Sequence, residues 1–140
     1  METALNPAPG FQRNPSHQIT VEPFDGTVVV TFSDAILAST NHAKVLREVG
    51  YSPVCYIPFK DIYFEFLTPT STHSHCPYKG DATYWRVSAG GEALDDVMWA
   101  YEAPFDEMLA IRGHAAFYPD KVRIEANPAF GAFGAVGADI

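Results

Sequence analysis

The chain has 140 residues, of which 47% are hydrophobic, so a single domain can bury a substantial apolar core. Nine basic against seventeen acidic residues give a net charge of −8 at pH 7. An acidic surface repels phosphate backbones, and no basic stripe offsets it, so we expect no nucleic-acid partner. No stretch approaches the roughly 20 apolar residues that span a bilayer, so we expect no membrane association.

The location that the sequence predicts is the cytoplasm. The N-terminus has no basic start and no apolar stretch, so no signal peptide is expected there. Cys55 and Cys76 are the two cysteines, and neither belongs to a disulfide framework or to a paired CxxC motif. A reducing compartment is the ordinary place for such a chain.

The first third of the chain indicates an arm followed by strands. Residues 1–17 are rich in Pro and Asn and predict a mobile N-terminal arm. Residues 17–24 and 27–32 predict two strands of a hairpin, with Asp25-Gly26 as its two-residue turn. A short returning strand through Ile36 and Leu37 follows.

A short helix is predicted next, over about residues 41–49. Val45, Leu46 and Val49 form one apolar face, and Gly50 is well placed to end the helix. Residues 54–57 predict an extended segment between two prolines. Residues 61–67 alternate between apolar and polar side chains, which predicts a further strand.

The second half of the chain predicts more strands and one more helix. Residues 68–74 are expected to form a polar loop, and residues 81–88 a strand that turns at Gly90-Gly91 into residues 92–99. A helix is predicted over 105–112, because acidic residues begin it and Arg112 ends it. Residues 115–118 and 122–126 predict two final strands.

The fold class that follows is mainly β (α+β), with one domain over residues 18–126. We expect two small packed antiparallel sheets or a partly open barrel, with two short helices. Residues 127–140 form an Ala/Gly-rich tail with two phenylalanines, which is either disordered or docked on a neighbour. If the neighbour is a second copy of the chain, the protein is a homodimer.

The densest cluster of chemically capable side chains lies in residues 72–81. If this segment is extended, His73 and His75 point to the same side, since side chains alternate along a strand. Two imidazoles on one side can chelate Zn or Fe, with Glu65, His114 or His17 as a third ligand. Loop histidines without a metal are the commoner outcome, so the absence of a cofactor is the expectation.

Cys76 and Lys79 are further candidates in the same cluster. A neighbouring cation such as Lys79 or His75 can lower the pKa of a thiol and make it nucleophilic, although a buried inert Cys76 is the commoner state. Lys79-Gly80 can hold an anionic group, with Gly80 allowing close approach of the backbone. A solvated lysine beside a turn glycine is the alternative.

Glu65 and several aromatic residues complete the candidate site. Glu65 is expected on a strand, where it either pairs with a base such as Lys79 or Arg86 or acts as a general acid or base. Aromatic side chains can form the walls of a pocket, although ordinary core positions are the alternative; the residues are Tyr78, Tyr84, Trp85, Trp99 and Tyr101.

The chain also resembles a known family. The segments that carry the resemblance are Tyr56-Ile57-Pro58 with Asp61, the run from His75 to Trp85 that contains Cys-Pro-Tyr-Lys-Gly, Trp99-Ala100-Tyr101 with Pro104, and the run from Ala116 to Asp120. This pattern, over about residues 20–126, is similar to the bacterial and fungal family called domain of unknown function 427. The resemblance implies a compact β fold, related to tent-like zinc-binding folds, and marks Cys76, Lys79, Gly80, Tyr84 and Trp85.

Some collections label this family as nucleotidyltransferases, an activity that the sequence does not favour. No Gly-Ser pair followed by spaced aspartates is present to hold two magnesium ions. The function that the residues favour is a pocket for a small anionic metabolite. Lys79 would hold the anion, and Glu65 or His75 would move protons in a lyase, isomerase or hydrolase step. Whether turnover occurs stays open, and a non-catalytic binding or protein-interaction module is the alternative.

Overall fold

Two antiparallel sheets make up most of the described chain, which in the computed structural model comprises residues 5–129. The larger sheet has seven strands, which are, in spatial order, β1 (Ile19–Pro23), β4 (Lys44–Glu48), β5 (Val54–Pro58), β9 (His114–Phe117), β8 (Glu92–Ala100), β7 (Gly80–Ala89) and β6 (Leu67–Cys76). The smaller sheet has three strands, β10 (Arg123–Asn127), β2 (Thr27–Phe32) and β3 (Ala35–Thr40). The predicted mainly β fold with two antiparallel sheets is confirmed.

The helices of residues 5–129 are short. The α-helix α1 spans Pro9–Arg13, and 3-10 helices span Phe59–Asp61, Phe64–Phe66 and Asp106–Ile111. The last of these lies where a helix was predicted over 105–112.

The main core lies between the two sheets. Side chains from one face of the large sheet pack against the small sheet, and Val30, Leu37, Trp85, Met98 and Phe117 are among the buried members. The opposite face of the large sheet carries a second buried cluster, which includes Leu46, Tyr56, Tyr84, Trp99 and Tyr101. We call this opposite face the inner face.

Apolar residues on both faces of the large sheet explain why the predicted helix over 41–49 is wrong. Strand β4 occupies this stretch, paired with β1 and β5. Val45 and Leu46 are both buried although they point to opposite sides of the strand. Burial on both faces removes the alternation that marks a half-buried strand, and the remaining pattern imitates a helix.

The predicted hairpin over 17–32 is also wrong, although both of its strands exist. Strand β1 pairs with β4 in the large sheet, whereas β2 pairs with β3 and β10 in the small sheet. The chain therefore changes sheets at residues 24–26. A Cβ atom at Gly26 would collide with the backbone carbonyl of Asn127, so close approach to β10 accounts for the glycine.

In residues 61–76, the order of strand and irregular segment is the reverse of the prediction. The expected strand over 61–67 contains 3-10 turns, in which Phe64 packs edge-on against Phe59 with ring centroids 5.6 Å apart. The expected polar loop over 68–74 belongs to β6, which pairs with β7. Strand β6 is an edge of the sheet, where polar side chains and Pro69 are tolerated because one side needs no partner.

The described part of the N-terminal segment packs against the domain. Asn6 and Asp106 exchange hydrogen bonds of 2.7 and 2.9 Å, and the Ala8 amide donates to Glu107 Oε1 at 2.9 Å. The Gly10 amide donates to the Pro77 carbonyl at 2.9 Å. The mobility that the sequence predicts for an arm over 1–17 stays a prediction, and Asn6, Ala8 and Gly10 make these contacts within it. The tail over 127–140 lies outside the described residues from position 130 onward.

Candidate functional site

The tip of the β6–β7 hairpin turns a lysine into the protein. Cys76 and Gly80 are opposite each other in the register, and Pro77, Tyr78 and Lys79 form the turn between them. Gly80 has a φ of +125°, a conformation that favours glycine, and a Cβ there would lie 3.4 Å from the Ala103 carbonyl oxygen. This local geometry leaves the Lys79 side chain with 0% exposure.

The Lys79 ammonium is paired with a carboxylate that the sequence reasoning missed. Lys79 Nζ donates to Glu48 Oε1 at 2.7 Å, and the Glu48 side chain is only 4% exposed. The other carboxylate oxygen, Oε2, lies 2.8 Å from His17 Nε2. Cys76 Sγ lies 3.9 Å from Nζ, a long and weak contact. We call these four residues the Lys79 cluster.

This ion pair indicates that the large sheet is strongly curled. Strand β4 carries Glu48, and β5, β9 and β8 separate it from β7 in the sheet. At about 4.8 Å between neighbouring strands, a flat sheet would hold β4 and β7 about 19 Å apart. The hairpin tip therefore reaches Glu48 only because the sheet bends around its inner face. The Lys79–Glu48 pair ties the two sides of this open, curled sheet together.

The N-terminal segment covers the Lys79 cluster from outside. The His17 ring stacks on Tyr78 with centroids 4.2 Å apart, and Phe11 of α1 meets the same tyrosine edge-on at 4.9 Å. A Cβ atom at Gly10 would lie 2.7 Å from the Tyr78 ring, which is too close for an ordinary contact. The glycine therefore allows α1 to pack against the hairpin at this point. The His17 side chain keeps 13% exposure, whereas Lys79 keeps none.

Aromatic side chains line the inner face next to the Lys79 cluster. Tyr84, Trp99 and Tyr101 are buried there in one apolar cluster with Cys76. The Tyr84 hydroxyl lies 2.8 Å from Ser74 Oγ. The indole N–H of Trp99 is buried and has no hydrogen-bond acceptor among residues 5–129. An unsatisfied buried donor is costly and rare, so it marks a position where an acceptor could bind.

The outer side of the same hairpin carries the predicted histidine pair. His73 and His75 lie on one side of β6, opposite Thr83 and Asp81 of β7. His75 Nδ1 is 2.6 Å from Asp81 Oδ1, and both side chains are exposed. An open hollow of about 450 Å³ is lined by His73, Ser74, His75 and Asp81. No group of three or more His, Cys, Asp or Glu side chains suited to a metal ion occurs within residues 5–129.

The structure therefore divides the predicted site into separate places. Lys79, Cys76, Tyr84, Trp99 and Tyr101 belong to the inner side, with Tyr78 and Gly80 at the hairpin tip. His73 and His75 face the outer hollow.

Two of the predicted site residues lie apart from both of these places. Glu65 lies in the exposed 3-10 helix Phe64–Phe66, not on the expected strand, and its expected ion pair with Lys79 or Arg86 is not formed. Trp85 packs between the two sheets, on the face of β7 opposite Tyr84.

Two members of the cluster were not singled out for their roles by the sequence. Glu48 lies in a run read as a helix, and His17 was considered only as a distant metal ligand. A local signal for Glu48 does exist, since it lies two positions after buried Leu46 and therefore on the same side of β4. A charged residue at a position that alternation places inside the protein indicates a buried partner.

Cys55 is a core thiol with little reactivity. It is 6% exposed and lies between the sheets. Burial raises the pKa of Cys55 from 9.0 to about 12 because the thiolate loses its hydration.

In a Cys76→Ala variant at pH 8, we therefore expect a disulfide-exchange thiol reagent to leave the native protein unmodified and to label one thiol in urea. Rapid labelling of the native variant would contradict this burial. Since the raised pKa favours the neutral form in the folded state, the contribution of Cys55 to stability falls as the pH rises from 9.0 towards 12.

Comparison with known proteins identifies the family. The family described as "Domain of unknown function (DUF427)" matches residues 20–128, and the chain belongs to it. A search of curated proteins finds no match. Within residues 5–129, no helix is long and apolar enough to cross a membrane. The matched region includes Glu48, the hairpin tip and Trp99, whereas His17 and α1 lie before it.

Proposed function

We propose that the protein binds a small carboxylate or similarly anionic metabolite at the inner face, with Lys79 as the principal ligand-binding residue. The observation that carries this proposal is the complete burial of the Lys79 side chain. Lysine is almost never fully buried unless it is paired, and a buried ion pair contributes little net stability compared with apolar residues of the same volume. A costly buried ammonium beside an aromatic cluster therefore supports a binding role for Lys79.

Hydrogen-bonding capacity supports an oxygen-rich ligand. A lysine ammonium has three N–H donors, and Glu48 accepts at 2.7 Å while the Cys76 contact is long. Trp99 offers a further buried N–H on the same face of the sheet. A ligand carboxylate supplies acceptors of the kind that these donors lack. The rings of Tyr84 and Tyr101 supply apolar walls for the rest of a small ligand.

Acid–base chemistry is the reaction type that we propose for this site. Glu48 and His17 share a hydrogen bond of 2.8 Å, and Glu48 also contacts Lys79, so the three groups form a continuous path for a proton. These residues take the roles that the sequence reasoning gave to Glu65 and His75. A lyase, isomerase or hydrolase step needs such proton transfers and needs no phosphoryl group.

A binding experiment with Trp99→Phe tests the proposal. The probes are small mono- and dicarboxylates, detected by saturation-transfer NMR and ranked by titration. We expect at least one probe to bind the wild-type protein. Because Phe keeps an aromatic ring and removes the indole N–H, we expect its affinity to fall about tenfold or more, as for loss of a hydrogen bond to a charged group.

A double variant separates binding from stability. Lys79→Met/Glu48→Leu replaces both charged partners by apolar side chains, and such replacements commonly preserve stability. We expect this variant to melt near the wild-type temperature and to bind none of the carboxylates. Unchanged carboxylate binding in a folded double variant would rule out Lys79 as the ligand-binding residue.

A non-catalytic module is the second candidate, and the same burial favours it. The Lys79 ammonium contacts Glu48 and Cys76 inside the protein, so the Cys-Pro-Tyr-Lys-Gly segment can serve as a structural turn that closes the curled sheet. In that case the folded double variant matches the wild type in every binding assay, and no carboxylate binds either protein.

The location that we propose is the cytoplasm. Cys55 and Cys76 are both free and buried, which agrees with a reducing compartment. Partial oxidation to a mixed disulfide in protein isolated under non-reducing conditions would count against this location.

A further inference from the structure

We propose that His73 and His75 form a chelating site for one divalent transition-metal ion, such as Zn²⁺, on the outer side of the β6–β7 hairpin. The site is separate from the Lys79 cluster because it lies on the opposite side of β6. Its failure would leave the proposed inner-face function untouched.

The register of the hairpin places both imidazoles on one side. His73 pairs with Thr83, Ser74 with Ala82 and His75 with Asp81, without irregularity over these three positions. Side chains two residues apart in a regular strand project to the same side, within reach of one ion. Ser74 confirms the alternation, because its hydroxyl contacts Tyr84 of the inner face.

Asp81 prepares His75 for metal binding. Its Oδ1 lies 2.6 Å from His75 Nδ1, and a carboxylate can only accept a hydrogen bond, so Nδ1 carries the proton. The neutral ring then has its lone pair on Nε2. A metal-binding histidine commonly donates its other N–H to a carboxylate in this manner, which fixes the tautomer and raises the basicity of the ligand nitrogen.

The surroundings leave room for an ion and for water. The hollow lined by His73, Ser74, His75 and Asp81 has a volume of about 450 Å³ and is open to solvent. The imidazole of His73 makes no hydrogen bond within residues 5–129, so either of its ring nitrogens can serve as the metal ligand. Two protein ligands leave coordination positions for water or for an outside molecule. Imidazole ligands suit Zn²⁺, Cu²⁺ and Ni²⁺, whereas Mg²⁺ and Ca²⁺ prefer oxygen.

Isothermal titration of the full chain with Zn²⁺ tests this site. We expect one ion per chain, and at least a tenfold loss of affinity in His73→Ala and in His75→Ala. His42→Ala is the matched control, since His42 is also exposed but lies outside the hollow, and it should keep the wild-type affinity. Equal Zn²⁺ affinity in all three variants, or no binding by the wild type, would overturn the site.

Asp81→Asn tests the positioning role of the carboxylate. We expect Zn²⁺ affinity to fall about tenfold, at the lower end of the range for outer partners of metal ligands. The stoichiometry should stay at one ion, because both imidazoles remain. An affinity equal to that of the wild type would show that Asp81 does not position His75. Because all of these side chains are exposed, the melting temperatures of the metal-free variants should stay within a few degrees of the wild type.

Discussion

Glu48→Ala is expected to lower the free energy of unfolding by about 3–5 kcal/mol, the range for removing one partner of a buried ion pair. Among residues 5–129, the substitution leaves the Lys79 ammonium, at 0% exposure, with the Cys76 sulfur 3.9 Å away as its only hydrogen-bonding contact. It also removes the hydrogen-bond partner of His17 Nε2. Urea denaturation followed by tryptophan fluorescence measures the loss.

Two further variants show whether burial causes the loss. Glu125→Ala breaks an ion pair with Arg123 in which both side chains are well exposed, and we expect a cost of at most about 1 kcal/mol. Lys79→Met/Glu48→Leu should recover most of the stability that Glu48→Ala loses, since no unpaired charge remains inside. If Glu48→Ala costs no more than Glu125→Ala, water reaches the pair and the argument from burial is wrong.

The strands that the sequence predicts well are those with a local signal. In strand β7, exposed Arg86 and Ser88 alternate with buried Val87 and Ala89, and Gly90-Gly91 marks the end of the strand. Strand β4 lacks such a signal because both of its faces are buried. The hairpin over 17–32 fails for a different reason, since Asp25-Gly26 has the composition of a turn but serves a crossing between sheets.

The sequence identified several residues of the candidate site but not how these residues are arranged in space. The resemblance and the side-chain chemistry both pointed to Cys76 and Lys79, and both residues lie in the Lys79 cluster. Glu48 is separated from Lys79 by 31 positions in the sequence and by three intervening strands in the sheet. Their contact depends on the curl of the whole sheet, which no local pattern encodes. Lys79 therefore pairs with Glu48 and not with Glu65, the carboxylate that the sequence suggested as a partner.

Trp85→Ala is expected to lower the free energy of unfolding by about 3–5 kcal/mol, as for other large-to-small changes of core aromatic residues. Trp85 is 7% exposed and belongs to the core between the two sheets. Its ring has edge contacts with Phe59 and Phe64 at centroid distances of 6.4 and 6.3 Å. The 3-10 turns over residues 59–66 pack on this ring, so its removal also weakens their attachment. Urea denaturation followed by far-ultraviolet circular dichroism measures the change without relying on tryptophan emission.

A binding measurement distinguishes a structural role of Trp85 from a role in ligand binding, which we propose for its sequence neighbour Tyr84. Successive residues of β7 face opposite sides, so Trp85 is separated from the inner face by the sheet itself. Trp85→Phe should therefore keep the wild-type carboxylate affinity, whereas Trp99→Phe lowers it about tenfold or more. As a control for the unfolding measurement, Tyr63→Ala removes an exposed ring near the same 3-10 turns and should lower the free energy of unfolding by about 0.5 kcal/mol or less. Equal losses of affinity in Trp85→Phe and Trp99→Phe would mean that ligand recognition extends through the sheet, and the inner face alone would no longer define the site.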